Sequence, residues 1–384
     1  MPKVPRVALD VETSLVYGRR ILEGIARYLR ANRPWSICLE QHELSSNPLE
    51  LLKRWSGDGI ITRTATKESI KLMRRRRLAI IDLGDIQPHL GMLRISSADM
   101  VIGRMAAEHL LERGFENFAC CGFVGENWSQ RRRDGFVGEI GHKGFAAQVY
   151  ESPRAGLQAW KRDQLQLVEW LASLKKPLGV FATNDLRGQH ILDACAQLDL
   201  AVPENVAVIG VDNDEIVCGF CQPSLTSIIP NPERIGYEAA LWLDRLMQGE
   251  KPTTTEIEIP PLGIAVRQSS DVYAVADPAV ASALSFIRAR ACEGVTVNDV
   301  LDHLSVSRSW LERSFRKLVK HSPQTEIRDV QLKRCKELLR TTNLPLDKIA
   351  QLAGFEHPEY MSVVFKRSLK VTPGSYRKQN GEHN

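Results

Sequence analysis

The hydrophobic period of this chain changes once, near residue 270, and that change commits it to two different architectures in series. From Val4 to about Gly263, short apolar runs alternate with longer stretches of helical period, the pattern of a parallel α/β sheet. After Pro278 every apolar stretch repeats at helical spacing. The expected fold is therefore an α/β domain of two lobes over 1–270, a polar linker over 271–278, and an all-α domain over 279–384.

Individual segments are legible in the first part. Val4–Asp10 reads as a strand, and Gly18–Arg30 follows as a helix with Ile21, Leu22, Ile25, Tyr28 and Leu29 on one face. Gly57–Ile61, Leu78–Asp82, Phe118–Phe123, Leu178–Ala182 and Val206–Val211 read as buried strands. Helices are expected at Ile102–Arg113, Arg187–Gln197 and Arg234–Met247. About 265 residues of this alternation exceed one simple mononucleotide-type sheet and suit two similar lobes with a cleft between them. In such sheets ligands gather at the carboxyl ends of the strands, where loops converge.

Composition narrows the class further. The chain has 384 residues, 43% of them hydrophobic and 25% charged, which is ordinary for a globular protein of two or three domains. No apolar run is long enough for a membrane span, and the N-terminus leads straight into a strand, so the expectation is a cytoplasmic protein without a signal peptide and without a membrane partner. Eight cysteines lie scattered in core-like patterns, which suits a reducing compartment. Cys218 and Cys221 form a CxxC, but no second pair or suitably spaced histidine completes a zinc site, so no metal is expected. The net charge of +5 is uneven: from residue 275 onward there are 18 Lys/Arg against 12 Asp/Glu, leaving 33 against 34 before it. A basic C-terminal third favours a nucleic-acid partner, because Lys and Arg displace counterions from phosphates, although a solvated basic surface gives the same count.

Within the helical part lies an internal repeat. Val300, Leu301, Leu304 and Val306 correspond to Ile349, Ala350, Ala353 and Phe355 at an offset of 49, and Leu311 and Phe315 to Met361 and Phe365 at an offset of 50. The unit is helix, tight turn, helix, twice over. Gly354 stands where the second turn needs positive φ, and Ser305 takes the equivalent place in the first. The alternative is a helical bundle with no DNA role.

Over residues 278 to 377 this part resembles the C-terminal domain of the AraC family of regulators. The residues that carry the resemblance are Ser307 through Phe315, Ser322-Pro323, Leu338-Leu339, Ile349-Ala350, Gly354-Phe355, Phe365-Lys366, Thr372-Pro373 and Tyr376-Arg377. Ser305 and Lys370 replace usual glycines, and Gln331 a usual arginine. The resemblance implies two recognition helices, Ser307–Val319 and Pro358–Leu369, entering successive major-groove segments of double-stranded operator DNA roughly 34 Å apart. Arg308, Ser309, Glu312 and Arg313 are then positioned to reach base edges, while Trp310, Leu311 and Phe315 hold core. In the second helix Glu359 and Ser362 are base-edge candidates, and His357, Lys366 and Arg367 phosphate contacts; plain solvated charge is the alternative for the last two.

Residues 4 to 265 resemble the effector domain of the LacI/GalR regulators and the periplasmic sugar-binding proteins. The landmarks are Asp99 to Arg104, Ala106 to Leu111, Arg113-Gly114-Phe115, Ala182 to Asp185, Val208 to Asn213 and Pro223 to Ile228. The small N-terminal DNA-binding domain of LacI-type repressors is not expected here, since the first strand begins at Val4. A LacI-like sensor before an AraC-like reader is similar to the layout of the xylose-operon activator family, and Asp277 to Val280 leading to Ile287-Arg288 continues the likeness through the junction.

The resemblance implies D-xylose or a related monosaccharide as effector, with no cofactor. Asp212, after a buried strand, would accept paired sugar hydroxyls, and Arg132 lies where such sensors keep a sugar-contacting arginine. Asp185 and Arg187 form a second polar pair after the strand at Leu178–Ala182. Trp128 would stack on the sugar's C–H face, with hinge packing as its alternative; Asp10 and Tyr17 flank the first strand-to-helix loop. Arg131, Arg133 and the arginine run between Met73 and Leu78 read as surface. The further implications are a homodimer through the sensor, contact with RNA polymerase, and sugar-driven lobe closure that promotes operator binding and activation, with repression as the alternative. No GxGxxG after the first strand, P-loop, HExxH or GxSxG motif supports the rival reading as an α/β sugar enzyme. A periplasmic binding protein would leave the basic helical part unexplained.

Overall fold

In a computed structural model of the chain, the described residues are 4–39, 56–63, 66–84, 92–153, 157–271 and 277–380. They form two compact units, 1–198 with 207–271 and 199–206 with 272–384. The division after Asp271 lies at the head of the expected linker, of which 272–276 are outside the described residues. One feature departs from a simple serial split: 199–206 packs with the helical unit although the expected boundary assigned it to the sensor.

The first unit contains two six-stranded sheets. One has the order β11-β5-β4-β3-β1-β2, the other β12-β10-β9-β8-β6-β7. In the first sheet β1 is Arg6–Asp10, β2 Ser36–Leu39, β3 Gly59–Thr62, β4 Ala79–Asp82, β5 Leu93–Ser97 and β11 Glu256–Ile259, all parallel. In the second, β6 is Asn117–Val124, β7 Ala147–Pro153, β8 Leu178–Ala182, β9 Val206–Val211, β10 Thr226–Ile229 and β12 Gly263–Ala265, with β12 antiparallel to β10. The chain thus leaves the first lobe after β5, returns after β10, and leaves again after β11. Strands β3, β8 and β9 are buried along their whole length, as continuous Val, Ile and Leu runs in a doubly covered parallel sheet should be.

Each lobe is braced by one helix crossing that only glycine permits. Helix α1 (Val16–Ala31) crosses α8 (Pro232–Met247), and α3 (Asp99–Leu111) crosses α4 (Asn127–His142). A Cβ on Gly24 would meet the Glu233 carbonyl oxygen at 2.0 Å, and one on Gly236 that of Ile21 at 2.0 Å. In the second crossing, Gly103 faces the Arg132 carbonyl at 2.0 Å and Gly135 that of Met100 at 2.2 Å. Backbone therefore touches backbone, which fixes both the height and the rotation of α4, and with them the direction of Arg132. Sequence reading missed α4: three glycines and a run of arginines conceal its period. The remaining helices of the unit are α2 (Lys67–Arg75), α5 (Leu157–Ser173), α6 (Asp185–Gln197) and α7 (Glu215–Phe220). Arg74 to Arg77 are exposed at the end of α2, the solvated helix end expected.

The second unit is all α: α9 (Pro278–Arg290), α10 (Val297–Leu304), α11 (Arg308–Leu318), α12 (Pro323–Thr341), α13 (Leu346–Leu352), α14 (Pro358–Leu369) and α15 (Pro373–Asn380). Its starts are written in the sequence. Asp277 caps α9, Thr296 and Asp299 form a capping box on α10, and Ser307 and Ser322 cap α11 and α12. The residues standing in for glycine take its conformation: Ser305 has φ 54° and Lys370 φ 62°, beside Gly354 at 76°. Gln331 is buried; its amide donates to the Ala291 carbonyl at 3.0 Å and the Gly354 carbonyl at 2.8 Å, and its oxygen accepts from Arg328 at 2.8 Å. An amide thus does locally what a buried arginine would do without bringing a charge into the core. Helix α15, not read as a helix from the sequence, explains the Tyr376-Arg377 landmark: Tyr376 packs edge-on against Phe365, and Arg377 donates to the Leu344 carbonyl at 2.5 Å.

Two glycines three residues apart on α4 should respond in opposite directions to one added methyl. Nothing lies within 4 Å of a Cβ on Gly138, so Gly138→Ala should raise stability by about 0.5–1 kcal/mol through helix propensity. Gly135→Ala should lower it by about 1–3 kcal/mol through overpacking, both read by urea unfolding of the full chain.

Candidate functional site

The strand ends of the two sheets bring together a dense set of charged groups. Arg132, on α4, is buried, and its Nε donates to Asp99 Oδ1 at 2.7 Å at the start of α3. Its Nη1 donates to the Thr183 carbonyl at 2.7 Å and lies 3.6 Å from Asp212. Burial of the Asp99 carboxyl pushes its pKa up, opposed by the Arg132 charge. Asp212 follows β9 with φ 108°, and Asn213 follows with φ 47°. Two consecutive non-glycine residues at positive φ store strain of order 1–3 kcal/mol each, a pattern that collects at ligand clamps. The strained pair is held in place by Ser227, which accepts from the Asn213 amide at 2.9 Å, and by Arg267, which donates to its side chain at 2.7 Å. In the sequence Ser227 is only part of a family landmark, and Arg267 is not singled out.

Asp185 begins α6 beneath this turn. Its carboxylate accepts from Ser227 Oγ at 2.6 Å, from the Asp214 amide at 2.8 Å and from the Cys218 thiol at 3.4 Å. Burial, and secondly the charge of Asp212, push its pKa up to about 8. Cys218 and Cys221 are buried and form no disulfide, in keeping with their reading as core.

From the first lobe come Tyr17, whose hydroxyl shares a 2.7 Å hydrogen bond with Ser97 Oγ, and Asp10, buried at the end of β1 with Thr62 Oγ1 donating to it. Burial pushes the Tyr17 hydroxyl up to about 12, so it stays a neutral donor. The structure adds two groups that sequence reading missed. Arg63 donates to Glu12, stacks over the Tyr17 ring at 4.8 Å, and is close enough to Asp212 on the other lobe for its charge to be felt. Glu12 is fully buried, and its second oxygen has no hydrogen-bond partner among the described residues. A carboxylate two residues beyond a strand end was the available signal.

Two expected site residues are differently engaged. Arg187 is fully buried and turns toward β7: it pairs with Asp163 at 2.6 Å and Ser152 at 2.6 Å and lies over the Phe123 and Tyr150 rings. It does not share partners with Asp185, so the two do not act as the polar pair that their proximity in sequence suggested. Trp128 has its ring against the Arg132 guanidinium at 5.0 Å and its indole nitrogen on Glu126 at 2.8 Å, a half-buried position that supports Arg132. Arg131 reaches Glu256 and Glu258, and Arg133 pairs with Asp134 and Glu151, so both serve surface ion pairs.

In the helical unit the two repeat copies present alike. Leu311 and Phe315 of α11, and Met361 and Phe365 of α14, are fully buried, while Trp310 is half-buried. Arg308, Ser309 and Arg313 are exposed with Glu312 half-buried; His357, Glu359, Lys366 and Arg367 are exposed with Ser362 half-buried. All nine DNA-contact candidates thus have some outward surface.

Comparison with known proteins agrees with this division. The family profile of the XylR N-terminal domain matches residues 6–89, a periplasmic binding protein-like domain 107–270 and a helix-turn-helix domain 300–379. The xylose operon regulatory protein of Haemophilus influenzae is 33% identical over 97% of this chain and 98% of its own length. The chain belongs to the xylose operon regulatory protein family. The Escherichia coli K12 member is 30% identical over 98% of each chain. A solved structure of the xylose-binding transcription activator XylR superposes with a TM-score of 0.83, at 30% identity, over 99% of this chain and 100% of that one. The chain is a transcription regulator of this kind and not an enzyme. No helix among the described residues is long and apolar enough to cross a membrane.

The raised pKa of Asp185 gives the sensor a pH dependence of definite sign. A carboxyl whose folded pKa lies above its unfolded value contributes stability that is lost as pH rises from the unfolded to the folded value, since over that range the unfolded state has released a proton that the folded state still holds. Thermal unfolding midpoints should fall as pH rises from about 4 to about 8 and level off above that. In Asp185→Asn, which cannot ionise, that slope should flatten; an equal slope in both proteins would assign the titration elsewhere.

Proposed function

We propose that this regulator binds D-xylose between its lobes and responds by altering how a homodimer engages operator DNA. The observation that carries the reading is the convergence of Arg132, Asp212 and Asp185 with Tyr17 and Arg63 at the facing strand ends. A pyranose offers adjacent hydroxyls and an oxygen-rich rim between C–H faces. Carboxylates accept from paired hydroxyls, and guanidinium forks donate to ring and hydroxyl oxygens. D-xylose itself is taken from the names of the relatives that span the chain.

The mechanism follows from linkage. Sugar bridging groups from both lobes favours the arrangement in which those groups are closest. It shifts the population only by its differential affinity, about 5.5 kcal/mol for a near-complete switch. In a dimer paired through the sensor units, that shift alters the spacing of the readers. The operator, RNA polymerase and a cytoplasmic location complete the proposal, and activation is the favoured sign.

Two measurements test separate parts of it. Calorimetric titration with D-xylose, arabinose, ribose and glucose should give the tightest binding for D-xylose, and Asp212→Asn should weaken it roughly 10- to 150-fold, the worth of about 1.5–3 kcal/mol for hydrogen bonds to a charged group. Indifference of the parent protein to D-xylose would remove the effector assignment. On DNA from upstream of the gene, binding should weaken steeply with salt, and Lys366→Ala and Arg367→Ala should each reduce the log–log salt slope by about 1 on every sequence tested.

A further inference from the structure

Helix α14 carries an exposed valine that neither the core nor the expected DNA contacts explain. Val363 is 63% exposed. It lies two residues from Met361 and two from Phe365, the two fully buried residues of the helix. At about 100° per residue, two steps turn roughly 200°, so Val363 stands nearly opposite both, at the middle of the outward face. Glu359 and Arg367 flank it one turn away on either side, with Lys366 between, all exposed. Tyr360, also exposed, is accounted for: Arg328 donates to its hydroxyl at 3.2 Å and stacks on its ring at 4.9 Å. Among the described residues no such partner accounts for Val363, and a β-branched side chain brings a solvent-facing helix position no propensity advantage.

The repeat supplies an internal comparison. At the offset of 50 that relates Leu311 to Met361 and Phe315 to Phe365, Val363 corresponds to Arg313, which holds the same central outward place on α11. The central position of one recognition helix therefore carries five N–H donors, and that of the other a branched hydrocarbon. In the major groove these match different partners: the acceptor pair of guanine for arginine, and for a small apolar group the C5-methyl of thymine. Val363 also borders a groove lined by Leu346, Ser362, Thr372, Pro373 and Gly374, whose lining includes one basic side chain, Lys366.

We infer that Val363 reads the methyl group of a thymine in the groove segment entered by α14, so that the two groove segments met by one reader are read by different chemistry. The inference rests on the DNA-reading assignment of the helical unit. Replacing thymine by uracil removes that methyl and nothing else, which makes the contact separable from every hydrogen bond in the interface. The full-length protein, with D-xylose present, is used to select binding duplexes from a random-sequence pool, and each thymine of the selected site is then replaced singly by uracil. One replacement in the α14 segment should weaken binding about three- to fivefold, the worth of one buried methyl-sized group. Val363→Ala should weaken binding to the thymine site by a similar factor and abolish the response to that one replacement, with its unfolding midpoint unchanged. Val363→Arg should move the preferred base there to guanine. A selected site at which no uracil replacement loses its effect in Val363→Ala overturns the inference alone. Failure to select any duplex from the pool overturns the DNA-reading assignment, and the inference with it.

Discussion

The sensor unit is organised around one buried cation. Arg132 reaches Asp99 on α3, the carbonyl after β8 and the carboxylate after β9, and so ties the segment that leaves β5 of the first sheet to two strand ends of the second. A guanidinium out of water is tolerated only where its donors are met, and removing one member of such a pair leaves an uncompensated buried charge that typically costs several kcal/mol. The group therefore fixes the geometry around the cleft as firmly as any apolar contact. Its own position depends on the Gly103 and Gly135 crossing, where α3 and α4 meet backbone to backbone. A methyl at either glycine would displace the helix that aims the arginine.

Around that cation the charges are arranged in opposition. Asp212 lies near enough to Asp185 to disfavour its ionisation, while Arg63 and Arg132 approach Asp212 from opposite lobes. Sugar hydroxyls can serve such a site in both directions, donating to carboxylates and accepting from guanidinium groups. The strained turn at Asp212 and Asn213, pinned by Ser227 and Arg267, presents the acceptors without a search through rotamers or loop conformations. In the helical unit the same economy appears in the turns: Ser305 and Lys370 accept a left-handed conformation that glycine would take with less strain, and the packing of the repeat imposes it.

Much of this was legible in the residues. The change of period near residue 270, the repeat at offsets of 49 and 50, and the capping residues Ser307, Ser322 and Asp277 foretold two architectures and most of their helices. Continuous runs such as Val206–Val211 identified central strands because such a strand is apolar on both faces. Edge strands escaped: β7, with Gln148, Tyr150 and Glu151 among its residues, pairs with β6 alone at the sheet edge and has no such run. So did α4, whose glycines serve a neighbouring helix and lower its own propensity.

The sequence by itself determined which side chains were available near the cleft and which faces of the helical repeat are apolar, because period and strand ends are local properties of a chain. It could not determine their partners. Arg187 follows Asp185 by two residues yet belongs to Asp163 and Ser152 on the β7 side, while Arg63 and Glu12 converge on the cleft from separate loops. Segment 199–206, which lies between a sensor helix and a sensor strand, packs with the helical unit, where Glu204 pairs with Arg288 at 2.9 Å. Those pairings join residues far apart in the chain. Only the tertiary structure decides them, since a buried charge takes the nearest geometrically adequate partner in space, and sequence spacing does not encode that distance.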